Sequence, residues 1–197
     1  MNGYVQSVDL ISDLAKAAHD EGLSVHLDGA RLFNAAIDLG VPISHFTESV
    51  DTVSICVSKG LGAPVGSVLA GSKEKVDKAF RVRKMLGGGM RQSGHLAAAG
   101  LYALDHHVNR LVEDHLRAEH IAKGLSKIDG LDVKQATNML WVTPPSEVHS
   151  GLTAHLEKAN VKVIPWNPTM RIVTHLDIDD RAADYLVEVF HDFFASN

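Results

Sequence analysis

The chain predicts an α/β protein, with a larger β/α domain over residues 1–129 and a small α+β domain over 130–197. Two observations carry this. Up to Gly130, stretches with apolar residues at helical spacing alternate with short β-branched runs, the pattern of a parallel sheet flanked by helices. Beyond Gly130, strands come in adjacent pairs and helices stand apart from them, which is the α+β pattern.

Residues 8–21 place Leu10, Ile11, Leu14, Ala17 and Ala18 on one helical face, and Gly22 supplies a C-cap. "LSVHLDGA" (23–30) follows as a short strand. Residues 51–58 and 65–70 read as two more, the first apolar enough for burial on both faces. Residues 74–86 form a basic helix, 92–107 an Ala-rich helix and 110–128 a further one. In the second domain, "LDVKQA" and "NMLWVTPP" pair as strands about a turn at Thr137-Asn138. Residues 146–159 are helical, with Ser146 placed to cap them. "VKVIPW" and "MRIVTHL" are short strands, and 179–195 is a terminal amphipathic helix.

Composition narrows the class. A hydrophobic share of 45% and a charged share of 22% are those of a soluble globular protein. A net charge of −5, from 24 acids against 19 bases with no basic block, argues against a nucleic-acid binder. The 12 histidines are scattered without metal-ligand spacing, so no metal is expected. One cysteine, Cys56, excludes a disulfide framework and suits a reducing cytoplasm. No apolar run reaches membrane-spanning length, and the N-terminus shows no signal-peptide pattern.

Three stretches carry chemistry. "HLDGARLFNA" (26–35) puts Asp28 at a strand's carboxyl end and Arg31 just after it. "SICVSKGLGAPVGS" (54–67) closes an apolar strand on Lys59 and breaks at once into glycines. A lysine at the end of a buried strand calls for a partner or a task. "KMLGGGMRQSG" (84–94) sets three glycines between Lys84 and Arg91. Ligands of open α/β sheets gather at the carboxyl ends of strands. An acid, a lysine and a glycine-flanked arginine at such a place suit pyridoxal 5'-phosphate: lysine for its aldehyde, carboxylate for its ring nitrogen, cations and backbone N–H groups for its phosphate.

These blocks, together with "RKMLGGGMRQSGHLAAAGLYAL" and "MRIVTHLDI", resemble the low-specificity L-threonine aldolases. Those are pyridoxal-phosphate enzymes of the aminotransferase-like fold type I. The resemblance implies that this chain is the C-terminal part of that large domain followed by the small domain. It implies cleavage of the Cα–Cβ bond of L-threonine or L-allo-threonine to glycine and acetaldehyde. By the same resemblance, Lys59 forms the Schiff base and later moves protons, while Asp28 pairs with the pyridine nitrogen. Arg31 lies by the cofactor's phenolic oxygen or the substrate carboxylate. Lys84 and Arg91 are phosphate-side and substrate-side cations, Arg91 reaching a neighbouring subunit's site in a homo-oligomer. Arg171 grips the substrate's α-carboxylate. His26, His106, His107 and His175 read as structural.

The family's ring-stacking histidine and phosphate-side Gly-Thr loop are not found before Asp28, so an N-terminally truncated chain is expected. Two other readings stay open: a non-catalytic fragment that partners a full-length subunit, and a lyase acting on another β-substituted amino acid.

Overall fold

The computed structural model describes residues 3–196. They divide into two compact units, residues 5–111 and residues 112–196 with Gly3 and Tyr4.

The first unit begins with α1 (Val8–Asp20), where the Ser7 hydroxyl accepts the Leu10 N–H at 3.2 Å and caps the helix. Then follow β1 (His26–Asp28), α2 (Leu32–Leu39), the single turn α3 (Ser44–Thr47), β2 (Thr52–Cys56), β3 (Ser67–Gly71), α4 (Lys73–Met85) and α5 (Gly94–His106). The strands form one sheet in the order β1-β2-β3. β1 and β2 run parallel, with Asp28 beside Ser54. β2 and β3 run antiparallel, Cys56 facing Ser67. The sheet is therefore mixed, not wholly parallel as the sequence pattern suggests. The reason lies in the connection: residues 57–66 are too few for a crossover, which takes about a dozen or more, so the chain folds straight back.

β2 is also less buried than its apolar run implies. Val53 is buried, whereas Thr52, Ser54, Ile55 and Cys56 are half-buried. Val53 meets Leu32, Ala36 and Phe46, which α2 and α3 bring to one face of the sheet. Thr52, Ser54 and Cys56 alternate to the other face with polar side chains. A second cluster of Val57, Leu61, Ala63, Ala103 and Leu111 ties the segment after β2 to the C-terminal part of α5. Every residue of β3 is exposed, as are Met85, Leu86 and Met90 beyond it.

At the amino end of this sheet a charged cluster joins three elements. The Asp51 carboxylate accepts the Val25 N–H at 2.8 Å and the His19 ring N–H at 2.9 Å, and it pairs with the Lys75 ammonium. Lys75 foremost, then the Val25 N–H and His19, hold the Asp51 carboxyl well below the usual carboxylate range. A depressed folded-state pKa gives stability that is present above the unfolded value of about 4 and is lost as pH falls below it. Asp51→Asn is therefore expected to lower the melting temperature at pH 7. The gap to the unaltered protein should narrow at pH 3, as melting curves at both pH values would read.

The second unit starts with α6 (Leu111–Leu125), whose first residue lies at the boundary, and continues through β4 (Asp132–Ala136), β5 (Met139–Thr143), α7 (His149–Lys158), β6 (Met170–Val173) and α8 (Asp180–Ala195). β4, β5 and β6 make an antiparallel sheet in chain order. Alternation sends Leu140, Val142, Met170 and Ile172 to one face, where they meet Ala118, Ile121, Leu125, Leu152, Leu156 and Phe190 from the helices. The β4–β5 turn places Thr137 at φ +52°. Asp179 caps α8, accepting the Ala182 N–H at 2.7 Å. Ser146 does not cap α7: its hydroxyl turns to Glu147, and the helix begins at His149 without a side-chain cap. "VKVIPW" likewise forms no strand, only an isolated bridge between Ile164 and Arg171. Pro165 has no N–H to give, and the Trp166 N–H turns back to the Ile164 carbonyl at 3.0 Å.

Phe190, fully buried on α8, is central to this core. Phe190→Ala is expected to cost about 3–5 kcal/mol, measurable by denaturant unfolding. Among the described residues, no helix is long and apolar enough to cross a membrane.

Candidate active site

Parallel pairing of β1 and β2 directs their carboxyl ends the same way; Asp28 ends β1, and Lys59 lies in the turn after β2. Asp28 is the last residue of β1 and is exposed. One of its oxygens accepts the Ala30 N–H at 3.1 Å, which fixes the carboxylate at the head of the following turn. Arg31, also exposed, is the residue from which α2 starts. β2 ends at Cys56, so Lys59 stands three residues past the strand and is exposed rather than buried at its end. Burial thus places no demand on the Lys59 amine. Its distinction is position: among the described residues it makes no ion pair, and it sits beyond the same sheet end as Asp28.

The turn bearing Lys59 is firmly built. The Val57 N–H reaches the Gly66 carbonyl at 3.1 Å, the Ala63 N–H the Val57 carbonyl at 2.9 Å, and the Gly62 N–H the carbonyl of Lys59 itself at 2.9 Å. Gly60 lies so close to its surroundings that a Cβ would stand 2.9 Å from Leu111 Cδ2 and 3.3 Å from Asn34 Oδ1. The His107 Nδ1–H donates to the Leu61 carbonyl at 2.6 Å, tethering the turn to the end of α5. Reading His107 as structural agrees with that bond, though nothing local in the sequence points to its partner. The His26 ring bonds the Thr52 hydroxyl at 2.9 Å in the same structural way. Asn34, buried on α2 beside Gly60, is a residue the sequence does not single out.

Lys84 occupies the last turn of α4, its side chain laid along Gly89, where a Cβ would come within 2.6 Å of its Nζ. Arg91 is exposed in the segment between α4 and α5. Arg171 belongs to the second unit. There it lies on β6 directly opposite Trp141 of β5, with its Cζ 4.7 Å from the centre of the Trp166 ring.

The first unit thus offers an amine, a carboxylate and several cations, with Lys59 and Asp28 beyond one sheet end. That donor set has the chemistry pyridoxal phosphate requires: an amine for an aldehyde, an acid for a ring nitrogen and cations for a phosphate.

Comparison with known proteins gives this arrangement a family. Residues 1–144 match the family model described as beta-eliminating lyase. The chain belongs to the beta-eliminating lyase family. Among relatives, it is 44% identical to the low specificity L-threonine aldolase of Escherichia coli O157:H7, across 90% of this chain and 53% of that one. It is 42% identical to low-specificity L-threonine aldolase 1 of Arabidopsis thaliana, across 95% of this chain and 54% of that one. The chain spans about half the length of the curated relatives it matches. The solved threonine aldolase of Leishmania major superposes with a TM-score of 0.81 at 19% identity, covering 98% of this chain and 59% of that one. As a beta-eliminating lyase family member, the chain has the fold type I, aminotransferase-like architecture in part: a portion of the large domain and the smaller α+β region.

Proposed function

We propose that the protein containing this chain is a pyridoxal-phosphate-dependent threonine aldolase, cleaving L-threonine or L-allo-threonine to glycine and acetaldehyde. The observation that carries the reading is the placement of Asp28 and Lys59 beyond the carboxyl ends of adjacent parallel strands, in a chain with threonine aldolases among its relatives. When bound, pyridoxal phosphate supplies an electron sink for the pair released as a bond to Cα breaks.

The chain's residues take these roles. Lys59 would hold the cofactor through its amine, and the same amine would carry protons to and from Cα. Among the described residues it makes no ion pair, which leaves it available for both tasks. Asp28, its carboxylate oriented by the Ala30 N–H, would hold the ring nitrogen and keep a proton there. Arg31, next along the turn, takes the phenolic oxygen or the substrate carboxylate. Lys84 serves the phosphate side. Arg91 reaches a neighbouring copy's site in a homo-oligomer, a role supported by its own exposure and by the exposed Met85, Leu86 and Met90 before it. Arg171 forks onto the α-carboxylate, a geometry guanidinium suits better than ammonium. We assign the protein to the cytoplasm, in keeping with its one free cysteine, Cys56.

Product analysis tests the reaction class. With threonine as substrate, the holoenzyme is expected to release acetaldehyde and glycine in equal amounts. Ammonia and a 2-oxo acid in their place would assign it to elimination and overturn the aldolase reading.

A further inference from the structure

The side chain of Arg171 is held in an unusual way. Its backbone is fixed on both flanks: it sits opposite Trp141 on β5, and it exchanges hydrogen bonds of 2.9 and 3.1 Å with Ile164. Beyond the backbone, no polar group among the described residues directs it. Its Nε is buried without a hydrogen-bond partner, an arrangement that carries a desolvation cost. No carboxylate pairs with its terminal nitrogens among the described residues. What does meet the guanidinium is the ring of Trp166, 4.7 Å from Cζ.

Trp166 is itself supported. Its ring lies 5.8 Å from that of Trp141 at 30° between planes. The His149 Nε2–H, from a buried ring at the start of α7, donates to the Trp166 carbonyl at 3.3 Å. A guanidinium held over an aromatic ring keeps N–H donors available for a carboxylate. With Nε shut away from solvent, the fork on offer is the terminal pair of nitrogens.

We propose that Trp166 is the positioning residue of the carboxylate clamp. Its ring holds the Arg171 guanidinium with the terminal nitrogens outward, so the loop between Ile164 and Met170 sets the affinity for the substrate's α-carboxylate. This rests on the assignment of Arg171 to that carboxylate.

The test uses the holoenzyme with threonine as substrate and glycine as a binding probe. Trp166→Leu keeps an apolar group but removes the aromatic face, whereas Trp166→Phe keeps a face. Trp166 is half exposed, so both variants should fold, and circular dichroism checks this. Trp166→Leu is expected to raise KM about threefold to thirtyfold, the fold-change matching a cation–π contact, with little change in kcat. Trp166→Phe should stay within about threefold of the unaltered enzyme. The chain has two tryptophans, Trp141 and Trp166, so its intrinsic emission reports on this cluster. Glycine should change that emission saturably, and Arg171→Ala should abolish the change. Equal KM values for Trp166→Leu and the unaltered enzyme, with KM raised in Arg171→Ala, would overturn the positioning role and leave the clamp intact. Unchanged KM in Arg171→Ala would overturn the clamp, and the role of Trp166 with it.

Discussion

Lys59→Ala is expected to abolish threonine cleavage in the holoenzyme, with residual turnover below about one-hundredth to one-ten-thousandth of the original. That range is what loss of a positioned proton carrier alone removes, about 10²–10⁴-fold, and loss of covalent attachment adds to it. Folding should be untouched, because Lys59 is exposed and its backbone carbonyl, not its side chain, takes part in the turn. Steady-state rates beside a melting curve separate the two effects. An inactive variant of unchanged melting temperature is the expected result. Retained turnover would show that another amine does the work, with Lys73, Lys75, Lys78 and Lys84 as the candidates nearest in sequence. Lys73 and Lys75 already pair with Asp77 and Asp51.

Asp28→Asn should act differently. The side chain keeps its shape and can still accept the Ala30 N–H, so β1 and the turn into α2 should persist. What goes is the negative charge facing the ring nitrogen. Removing one preorganised electrostatic partner of a developing charge typically costs about 10²–10³-fold in kcat. Substrate affinity should change little, since Asp28 is not assigned to the substrate. A change confined to KM, with kcat unaltered, would contradict the role given to Asp28.

Much of this was legible locally, and what was not depended on partners far along the chain. Gly22 follows the end of α1 as its chemistry suggests, and Asp179 starts α8. The runs at 131–145 and 170–173 contain the three strands of the small sheet, as read. The direction of β3 was not read, although the short glycine-rich connection after Cys56 contains the reason: it cannot house a crossover. Nor was α2, whose Leu32 and Ala36 sit one helical turn apart on the buried face.

Apolar content misled twice. In β2 it suggested burial on both faces, yet alternation with Thr52, Ser54 and Cys56 leaves Val53 the buried residue. In "VKVIPW" it suggested a strand where Pro165 permits only one bridge.

The candidate site divides along the same line. Asp28, Arg31 and Lys59 stand out because charge follows apolar strand runs and glycine follows charge. The long-range partners elsewhere in the fold do not stand out. His107 reaches the Leu61 carbonyl across 46 positions, and Asp51 gathers His19 and Lys75 from 32 and 24 positions away. Trp166 meets Arg171 through a loop that has no regular pattern. Such pairings follow from tertiary geometry, which no window of sequence contains.

The central claim is that Lys59 carries the cofactor. Borohydride reduction of the holoenzyme, followed by peptide mapping, tests it most directly. The account predicts one pyridoxyl-phosphate label, on the peptide containing Lys59, absent when the same treatment is applied to Lys59→Ala. A label on a different lysine of this chain, or one that persists in Lys59→Ala, would contradict it.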